Sequence, residues 1–296
     1  MTGPGALLVR GQLMLPADTP WCQRSGPGRV HSWRHRSDGG FASASFAAAR
    51  VDEATARSFV LDRHYSGTYP AGRLQYGMYR VSGPAPELVG VAVLSVPMNV
   101  KTLTGPFPRM TPYAESVELG RFVLADQVPG NGESWFIGRI AELAAADGVR
   151  GIVAFSDPFG RTRLDGSVVF PGHVGTIYQA ANFGYFGRGT PRTLALLPDG
   201  SVLSARALSK VRRDEQGHQY VERQLVAHGA DPRPDGMPGA LWLPGALRQA
   251  RVRPMRHGGN HRYCLAIGPR RRRIRPALPP SPYPKHTTPA PERTTP

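Results

Sequence analysis

The spacing of hydrophobic positions in the first third of the chain predicts a helix followed by a β-hairpin. After Asp52, apolar side chains recur three and four residues apart, which is the period of a helix with one buried face, and Asp52 suits the N-cap. The predicted buried face consists of Ala56, Phe59 and Val60. Residues 73–81 and 88–97 are strand-like apolar runs, and the Gly- and Pro-containing linker between them predicts a hairpin.

The middle of the chain has the clearest pattern and predicts a β-α-β unit. A strand at 115–124 is followed by a helix at 133–148, whose apolar residues recur at helical spacing and whose last residue, Gly148, is a typical stop. The apolar run at 149–157 then predicts a buried strand that ends in Asp157. Two strands joined by a helix in this way are expected to be parallel.

Beyond this unit the pattern alternates between helix and strand. The stretch GHVGTIYQAANFGYFGRG predicts a helix over residues 173–183 that ends in an aromatic, glycine-containing turn. Residues 193–208 predict a hairpin around a Pro-Asp-Gly turn, and a further helix ends at Gly229. Residues 261–268 predict a last strand.

The order of these elements predicts an α/β fold with a mixed sheet and flanking helices. Residues 46–268 carry the patterns and are expected to form one domain. Residues 1–45 are rich in Gly, Ser, Arg and His without a sustained period, which predicts a mostly disordered extension. Residues 269–296 form a basic, proline-rich tail that is also expected to be disordered.

Net charge points toward nucleic acid. The formal charge of the 296-residue chain is +16, and residues 269–296 hold seven Lys or Arg and one Glu, which leaves about +10 on the body. So positive a protein favours a polyanionic partner, and double-stranded DNA is the expected one.

Cysteine usage and hydropathy indicate a cytoplasmic protein without a membrane anchor. Cys22 and Cys264 are far apart in sequence, which predicts neither a disulfide framework nor a zinc site and indicates a reducing compartment. No apolar run reaches the roughly 20 residues that a membrane-spanning helix requires.

The loop between the predicted strand and helix of the β-α-β unit reads QVPGNG at 127–132 and fits the pattern Q-x-x-G-x-G. Glycines let the backbone approach an anion, and the free N–H groups of the next helix can bind a pyrophosphate. The loop resembles the acyl-CoA loop of the GCN5-related N-acetyltransferase fold. An acyl-CoA or related group donor would then contact Gln127, Gly130, Gly132 and Ser134. The alternative is a Pro-Gly turn into a helix capped by Ser134.

Three further places carry side chains suited to proton transfer or metal binding. Asp157 ends a buried strand, where polar side chains face the ligand crevice of an open α/β sheet. His64 and Tyr65 stand at the end of the first helix, and Tyr178 lies on the helix predicted at 173–183. Each has a structural alternative: an Asp-Pro turn for Asp157, a histidine bonded to helix-terminal carbonyls for His64, and a core tyrosine for Tyr178.

Five motifs, taken in order, resemble the Mom family of phage DNA-modification proteins: RHYSG, ELGRFVL, FSDP, GHVGTIYQAANFGYFGRG and HRY. The resemblance covers about residues 52–268 and implies an outlying branch of the acetyltransferase fold. It further implies transfer of a carbamoylmethyl group to N6 of adenine in phage DNA, which blocks restriction enzymes. The family is also expected to use bound iron.

The resemblance assigns a reaction site. It implies His64, Tyr65, Asp157 and Tyr178 as catalytic residues, and the first three of these as iron ligands. Whether His64 and Asp157 act as bases or as ligands stays open at the level of sequence. The insertion at 158–171 departs from the family's short link and leaves the geometry between Asp157 and Tyr178 undefined.

Adenine N6 is paired in duplex DNA, so an enzyme acting on it must flip the base out or act on opened DNA. The phosphates would be held by arginines of the body: Arg73, Arg188, Arg192, Arg212 and Arg213.

DNA adenine modification would take place in the cytoplasm of an infected bacterial host. Two other functions are alternatives to it. An acyl-CoA-dependent N-acetyltransferase acting on a protein or small amine would explain the Q-x-x-G-x-G loop. It would leave the charge of the body and the His, Tyr and Asp set unexplained. A non-catalytic DNA-binding protein would explain the charge alone.

Overall fold

The structure is a computed structural model that describes residues 7–9, 12–14, 21–25, 27–29, 31–35, 40–64, 66–170 and 172–285. Tyr65, one of the predicted site residues, lies outside the described residues.

The strands, numbered in chain order, are β1 (Leu7–Val9), β2 (Gln12–Met14), β3 (Trp21–Ser25), β4 (His31–His35), β5 (Phe46–Arg50), β6 (Gly72–Arg80), β7 (Glu87–Ser95), β8 (Ser116–Leu124), β9 (Gly151–Ser156), β10 (Arg161–Thr162), β11 (Val168–Phe170), β12 (Gly184–Arg188), β13 (Arg192–Leu196), β14 (Val202–Leu203), β15 (Arg253–His257) and β16 (His261–Ala266). The helices are α1 (Glu53–Arg63), α2 (Lys101–Thr104), α3 (Gly132–Ala146), α4 (Thr176–Ala180), α5 (Ala205–Arg212), α6 (Gln219–Ala227) and α7 (Gly239–Gln249).

Seven strands form one mixed sheet in the spatial order β12-β16-β9-β8-β7-β6-β5. Neighbouring strands are antiparallel except β8 and β9, which are parallel and connected through α3. This confirms the predicted β-α-β unit, the predicted hairpin β6–β7 and the predicted fold class of a mixed sheet with flanking helices.

The parallel pair separates toward the carboxyl ends of its strands, and we call this separation the split of the sheet. β8 and β9 are in register only from the pair Ser116 and Gly151 to the pair Leu119 and Ala154, although β8 continues beyond this point. The last two residues of β9 still pair with β16 on the other side. A gap at the carboxyl ends of parallel strands is where open α/β sheets bind ligands.

The main core covers both faces of this sheet. All residues of β7 from Val89 to Leu94 are buried, and successive strand residues point to opposite faces, so both faces are packed. The N-cap predicted at Asp52 is confirmed, because its carboxylate accepts a hydrogen bond from the Thr55 N–H at 2.8 Å. The helices contribute the predicted apolar faces, among them Ala56, Phe59 and Val60 of α1 and Phe136 and Ile140 of α3.

A second hydrophobic cluster lies in the last third of the chain. It packs α5, α6 and α7 together beside a three-stranded sheet of order β14-β13-β15. The hairpin was predicted to run through residue 208, but residues from Ala205 are helical, and the Ser204 hydroxyl caps them by accepting from the Ala207 N–H at 3.0 Å. Sequence reading missed α7 because Pro244 and glycines stand inside it.

The helix predicted at 173–183 is shorter than expected, since only α4 is helical. Gly172 and Gly175 have φ of +79° and +78°, a left-handed conformation that a right-handed helix cannot contain. His173 therefore precedes the helix instead of starting it. The aromatic segment after α4, predicted as a turn, forms β12 at the sheet edge.

Part of the C-terminal tail lies along the body. The Ser281 N–H donates to the Tyr185 carbonyl at 2.9 Å, and the Tyr283 hydroxyl donates to the Phe183 carbonyl at 2.8 Å. Residues 281–283 are thus bound at β12 and the residue before it, whereas the tail after residue 285 lies outside the described residues.

The N-terminal extension contains two described hairpins, β1–β2 and β3–β4. The division into residues 1–45, 46–268 and 269–296 stays a prediction. Within the described part of the chain, no helix has both the length and the apolar character needed to cross a membrane.

Candidate active site

Asp157 directly follows β9 at the split of the sheet and is held by three donors. Its Oδ1 accepts hydrogen bonds from His257 Nε2 at 2.9 Å and from the Phe159 N–H at 3.0 Å. The guanidinium of Arg161 lies 3.6 Å from its Oδ2. An Asp-Pro turn explains only the bond from Phe159, so the two side-chain partners indicate a more specific arrangement.

His257 is a site residue that the sequence did not reveal. It ends β15, is fully buried, and packs its ring against Phe159 with centroids 4.5 Å apart. Its Nδ1 accepts the Gly259 N–H at 3.1 Å, so the proton of the neutral ring sits on Nε2, facing Asp157. The arginine-rich segment around it lacks strand alternation, and 100 positions separate it from Asp157.

Tyr178 of α4 lies in the core, with its ring 5.2 Å from the ring of Tyr263 and 5.4 Å from that of Phe183. Its hydroxyl donates to the Phe155 carbonyl at 3.4 Å. Phe155 precedes Asp157 by two residues, a Cα separation of roughly 7 Å in extended chain. The tyrosine hydroxyl therefore lies against the strand that Asp157 terminates.

Tyr263, from the HRY motif, contacts α4 and the segment that precedes it. Its fully buried hydroxyl donates to the Val174 carbonyl and accepts from Gln179 Nε2 at 3.3 Å. Burial raises the pKa of Tyr263 to about 12, so the phenol stays neutral at physiological pH.

A chain of hydrogen bonds fastens His64 to the other side of the split. His64 Nδ1 accepts the Ser66 N–H at 3.1 Å and lies 2.9 Å from Ser66 Oγ, which is 3.2 Å from Thr68 Oγ1. Arg121 of β8 donates to Thr68 Oγ1 at 2.6 Å and to the Thr68 carbonyl at 2.9 Å. The loop after α1 is thereby attached to β8 beyond its last pairing with β9.

Asp157 and the loop that carries His64 are attached to the two strands of the parallel pair, close to the point where these strands separate. Leu119 and Ala154 are the last register partners of the parallel pair. Arg121, which holds the His64 loop, comes two residues after Leu119, and Asp157 comes three residues after Ala154. Their roles in catalysis stay predictions.

Glu118 is a second residue that the sequence analysis did not single out. It lies within β8 opposite Val153, and burial raises the pKa of its carboxyl, an effect that the charge of Arg121 opposes. A glutamate inside an apolar strand is rare, and this rarity was the available signal.

Two of the predicted cofactor-binding side chains are engaged within the protein. The Gln127 amide donates to Glu87 at 2.9 Å, and the Ser134 hydroxyl donates to the Asn131 carbonyl at 3.1 Å. These bonds stabilise the loop and the first turn of α3. The binding of a donor by these residues stays a prediction.

The glycine-containing loop makes a tight entry into α3. Asn131 is its N-cap with φ of +74°, and it stands between Gly130 and Gly132. A Cβ on Gly132 would lie 2.4 Å from Val128 Cγ1, so packing alone requires glycine there.

A pocket of about 430 Å³ opens beside this entry, between α3, α4 and the end of β16. Small residues such as Gly138 and Ala141 line its α3 side, and Ser134 lies at its rim. Arg273 from the tail adds a guanidinium to the lining. Glu142 of α3 also lines the pocket, so its wall of small and apolar residues carries one anionic and one cationic side chain.

The described residues contain no group of three or more His, Cys, Asp or Glu side chains that could hold a metal ion. Of the predicted iron ligands, Asp157 is bonded to His257, His64 is bonded to Ser66, and Tyr65 lies outside the described residues. The described donors do not by themselves form an iron site, and iron binding stays a prediction.

Two of the predicted DNA-binding arginines lie beside Asp157 and His257. The guanidinium of Arg188 stands over the Phe159 ring, 5.7 Å from its centroid. Arg192 donates to Asn260 at 3.4 Å, in the turn after β15. Both arginines therefore lie near His257, and phosphate binding by them stays a prediction.

The other predicted arginines are farther along the chain. Arg212 and Arg213 end α5, and the side chain of Arg213 is 72% exposed. Arg73 lies in β6 with its Nη1 buried and, among the described residues, without a hydrogen-bond partner. It is the least suited of the five to a phosphate on the surface.

A mixed sheet that splits between two parallel strands, with titratable side chains at the split, defines an α/β enzyme of the acetyltransferase type. The family model of the Mom protein family matches residues 45–237, more than half of the chain. The chain therefore belongs to the Mom protein family. This membership makes it a transferase of the phage DNA-modification type.

Two solved structures are similar to this chain at low sequence identity. A tandem GNAT protein from the clavulanic acid biosynthesis pathway is 10% identical, with a TM-score of 0.39, covering 76% of this chain and 99% of that one. Malonyl-CoA decarboxylase from Rhodopseudomonas palustris is 13% identical, with a TM-score of 0.31, covering 77% of this chain and 58% of that one. No curated protein sequence matches this chain.

Proposed function

We propose that the protein transfers a carbamoylmethyl group to the exocyclic N6 of adenine in phage DNA and so protects it from restriction. The observation that carries this proposal is the placement of Asp157, Tyr178 and the His64 loop at one edge of the sheet, in a chain of the Mom family. An N-acetyltransferase of proteins or small amines would leave the basic body without a role.

Adenine N6 is a weak nucleophile because its lone pair is delocalised into the ring, so a base must remove its proton as the new bond forms. As N6 bonds to the methylene carbon of the transferred group, the bond from that carbon to the donor would break, and its electron pair would leave with the donor. Oδ1 of Asp157 already accepts two hydrogen bonds, which makes Oδ2 the oxygen that receives the proton. The guanidinium of Arg161, 3.6 Å from Oδ2, stabilises negative charge there before the transfer. The flipped adenine would lie over the split between β8 and β9.

The group donor would occupy the pocket between α3 and α4. Its apolar wall suits the arm of an acyl-CoA or related donor, and the start of α3 and Arg273 suit its phosphates. Arg188 and Arg192 would hold the DNA backbone on the opposite side of the site. Acting on phage DNA, the protein would work in the cytoplasm of the infected host.

Restriction of DNA co-expressed with the protein tests this proposal. A plasmid propagated with the wild-type protein should resist enzymes whose sites contain adenine, and one propagated with soluble Asp157→Asn should be cut. Equal cutting of both plasmids would contradict the proposal. Coenzyme A release with a protein substrate but not with DNA would favour the N-acetyltransferase instead.

A further inference from the structure

We propose that His257 is a positioning residue that fixes the carboxylate of Asp157 for proton transfer. This inference rests on the proposed function. It assigns part of the site to β15, which lies beyond the residues 45–237 that the family model matches.

The direction of the hydrogen bonds defines what His257 does. The Gly259 N–H can only donate, so Nδ1 of His257 must be an acceptor, and the ring presents its Nε2–H to Asp157. The turn that aims this N–H requires glycine, because Gly259 has φ of +93° and a Cβ there would lie 2.0 Å from the Gly189 carbonyl oxygen. A backbone N–H therefore fixes one nitrogen of the imidazole, and the other nitrogen donates to the carboxylate.

The bonds to Asp157 restrict its rotation. His257 Nε2 and the Phe159 N–H both bind Oδ1, and the Phe159 ring packs on the imidazole. Rotation of the carboxylate would break both bonds. The imidazole is 0% exposed, so its N–H could not bond to water instead. Oδ2 is thereby held toward Arg161 and the split of the sheet.

Two variants separate positioning from packing. His257→Gln keeps an N–H donor at the end of the side chain, whereas His257→Leu keeps apolar volume without a donor. Loss of the donor lets the carboxylate turn, and misplacement of a reacting group by about 1 Å costs on the order of 100-fold in rate.

The rate of adenine modification at saturating DNA and the Kd for DNA are measured for full-length wild type and both variants. We expect His257→Leu to lose roughly 100-fold in rate with unchanged Kd, and His257→Gln to recover most of that loss. Equal rates for the two variants would overturn the assignment.

The tautomer of His257 is read independently by ¹⁵N NMR of wild-type protein labelled at histidine. We expect the Nε2–H form; an Nδ1–H form would overturn the inference even if the enzyme is active. Failure of the proposed function looks different, because the wild type would then modify no DNA while the Nε2–H form is still observed.

Discussion

Arg121 donates two hydrogen bonds to Thr68, one to its carbonyl at 2.9 Å and one to its hydroxyl at 2.6 Å. A side chain of the central sheet thereby fixes the loop that carries His64. The guanidinium suits this task because its donors form a rigid fork, which a lysine ammonium does not offer.

Arg121→Lys should lower the rate of DNA modification by roughly tenfold, because the His64 loop loses one of its two attachments to β8. Arg139→Lys is the matched control, since Arg139 lies on α3 and pairs with Glu142 of the same helix at 2.7 Å. Nucleoside analysis of modified DNA after fixed times measures the rate. If both variants modify DNA as fast as wild type, attachment of the loop to β8 is irrelevant to the reaction.

Asp157→Asn should abolish modification while the protein stays folded. The asparagine carbonyl can still accept from His257 and Phe159, but the amide at the position of Oδ2 cannot take up a proton. Asp165→Asn, in the insertion that follows Asp157, is the control and should retain activity. Circular dichroism checks folding, and near wild-type activity of Asp157→Asn would remove this carboxylate from the mechanism.

Tyr178→Phe should also abolish modification at little cost in stability. The hydrogen bond from the hydroxyl to the Phe155 carbonyl is long, at 3.4 Å, so its loss costs about 1 kcal/mol, and the ring contacts remain. Urea unfolding measures the stability and nucleoside analysis the activity. A stable variant with full activity would make Tyr178 a core residue only.

Glu118→Gln should stabilise the protein at neutral pH and lose this advantage in acid. Burial raises the pKa of Glu118 in the folded state, so the protonated carboxyl favours folding. Its contribution to the free energy of unfolding is present below the pKa of the unfolded chain and is lost as pH rises through the folded pKa. The glutamine carries no charge to bury at any pH. The difference in free energy of unfolding from wild type should shrink as the pH falls toward 4. A difference independent of pH would contradict the assigned burial effect.

The architecture was predictable from sequence wherever one local pattern determines an element. The spacing of Phe136 and Ile140 on α3 and the unbroken apolar run of β7 are such patterns, and both were confirmed. The helix around Tyr178 was predicted too long because Gly172 and Gly175 take left-handed conformations that periodicity does not reveal.

The site was only partly predictable, because its geometry depends on contacts between distant segments. The strand end singled out Asp157, but its partner His257 comes from a strand 100 positions away, in an arginine-rich segment without alternation. Glu118 stands out in sequence as a glutamate in an apolar strand, but its burial depends on the packing around β8. Such residues are defined by tertiary packing rather than by local spacing.

The body should bind DNA without its tail. A chain ending at Gly268 keeps about +10 of the net charge of +16, so its affinity should still fall steeply with salt through release of counterions from DNA. Gel retardation over a salt series measures this, and a thermal melt controls for the lost contacts of Ser281 and Tyr283. A folded, shortened chain that fails to retard DNA at low salt would assign binding to the tail.

Mass spectrometry of nucleosides from DNA co-expressed with the wild-type protein directly measures whether a carbamoylmethyl group is transferred to adenine. The account predicts a modified deoxyadenosine with the mass of a carbamoylmethyl group on the base, absent with Asp157→Asn. Unmodified deoxyadenosine throughout, from cells that contain soluble wild-type protein, would contradict it.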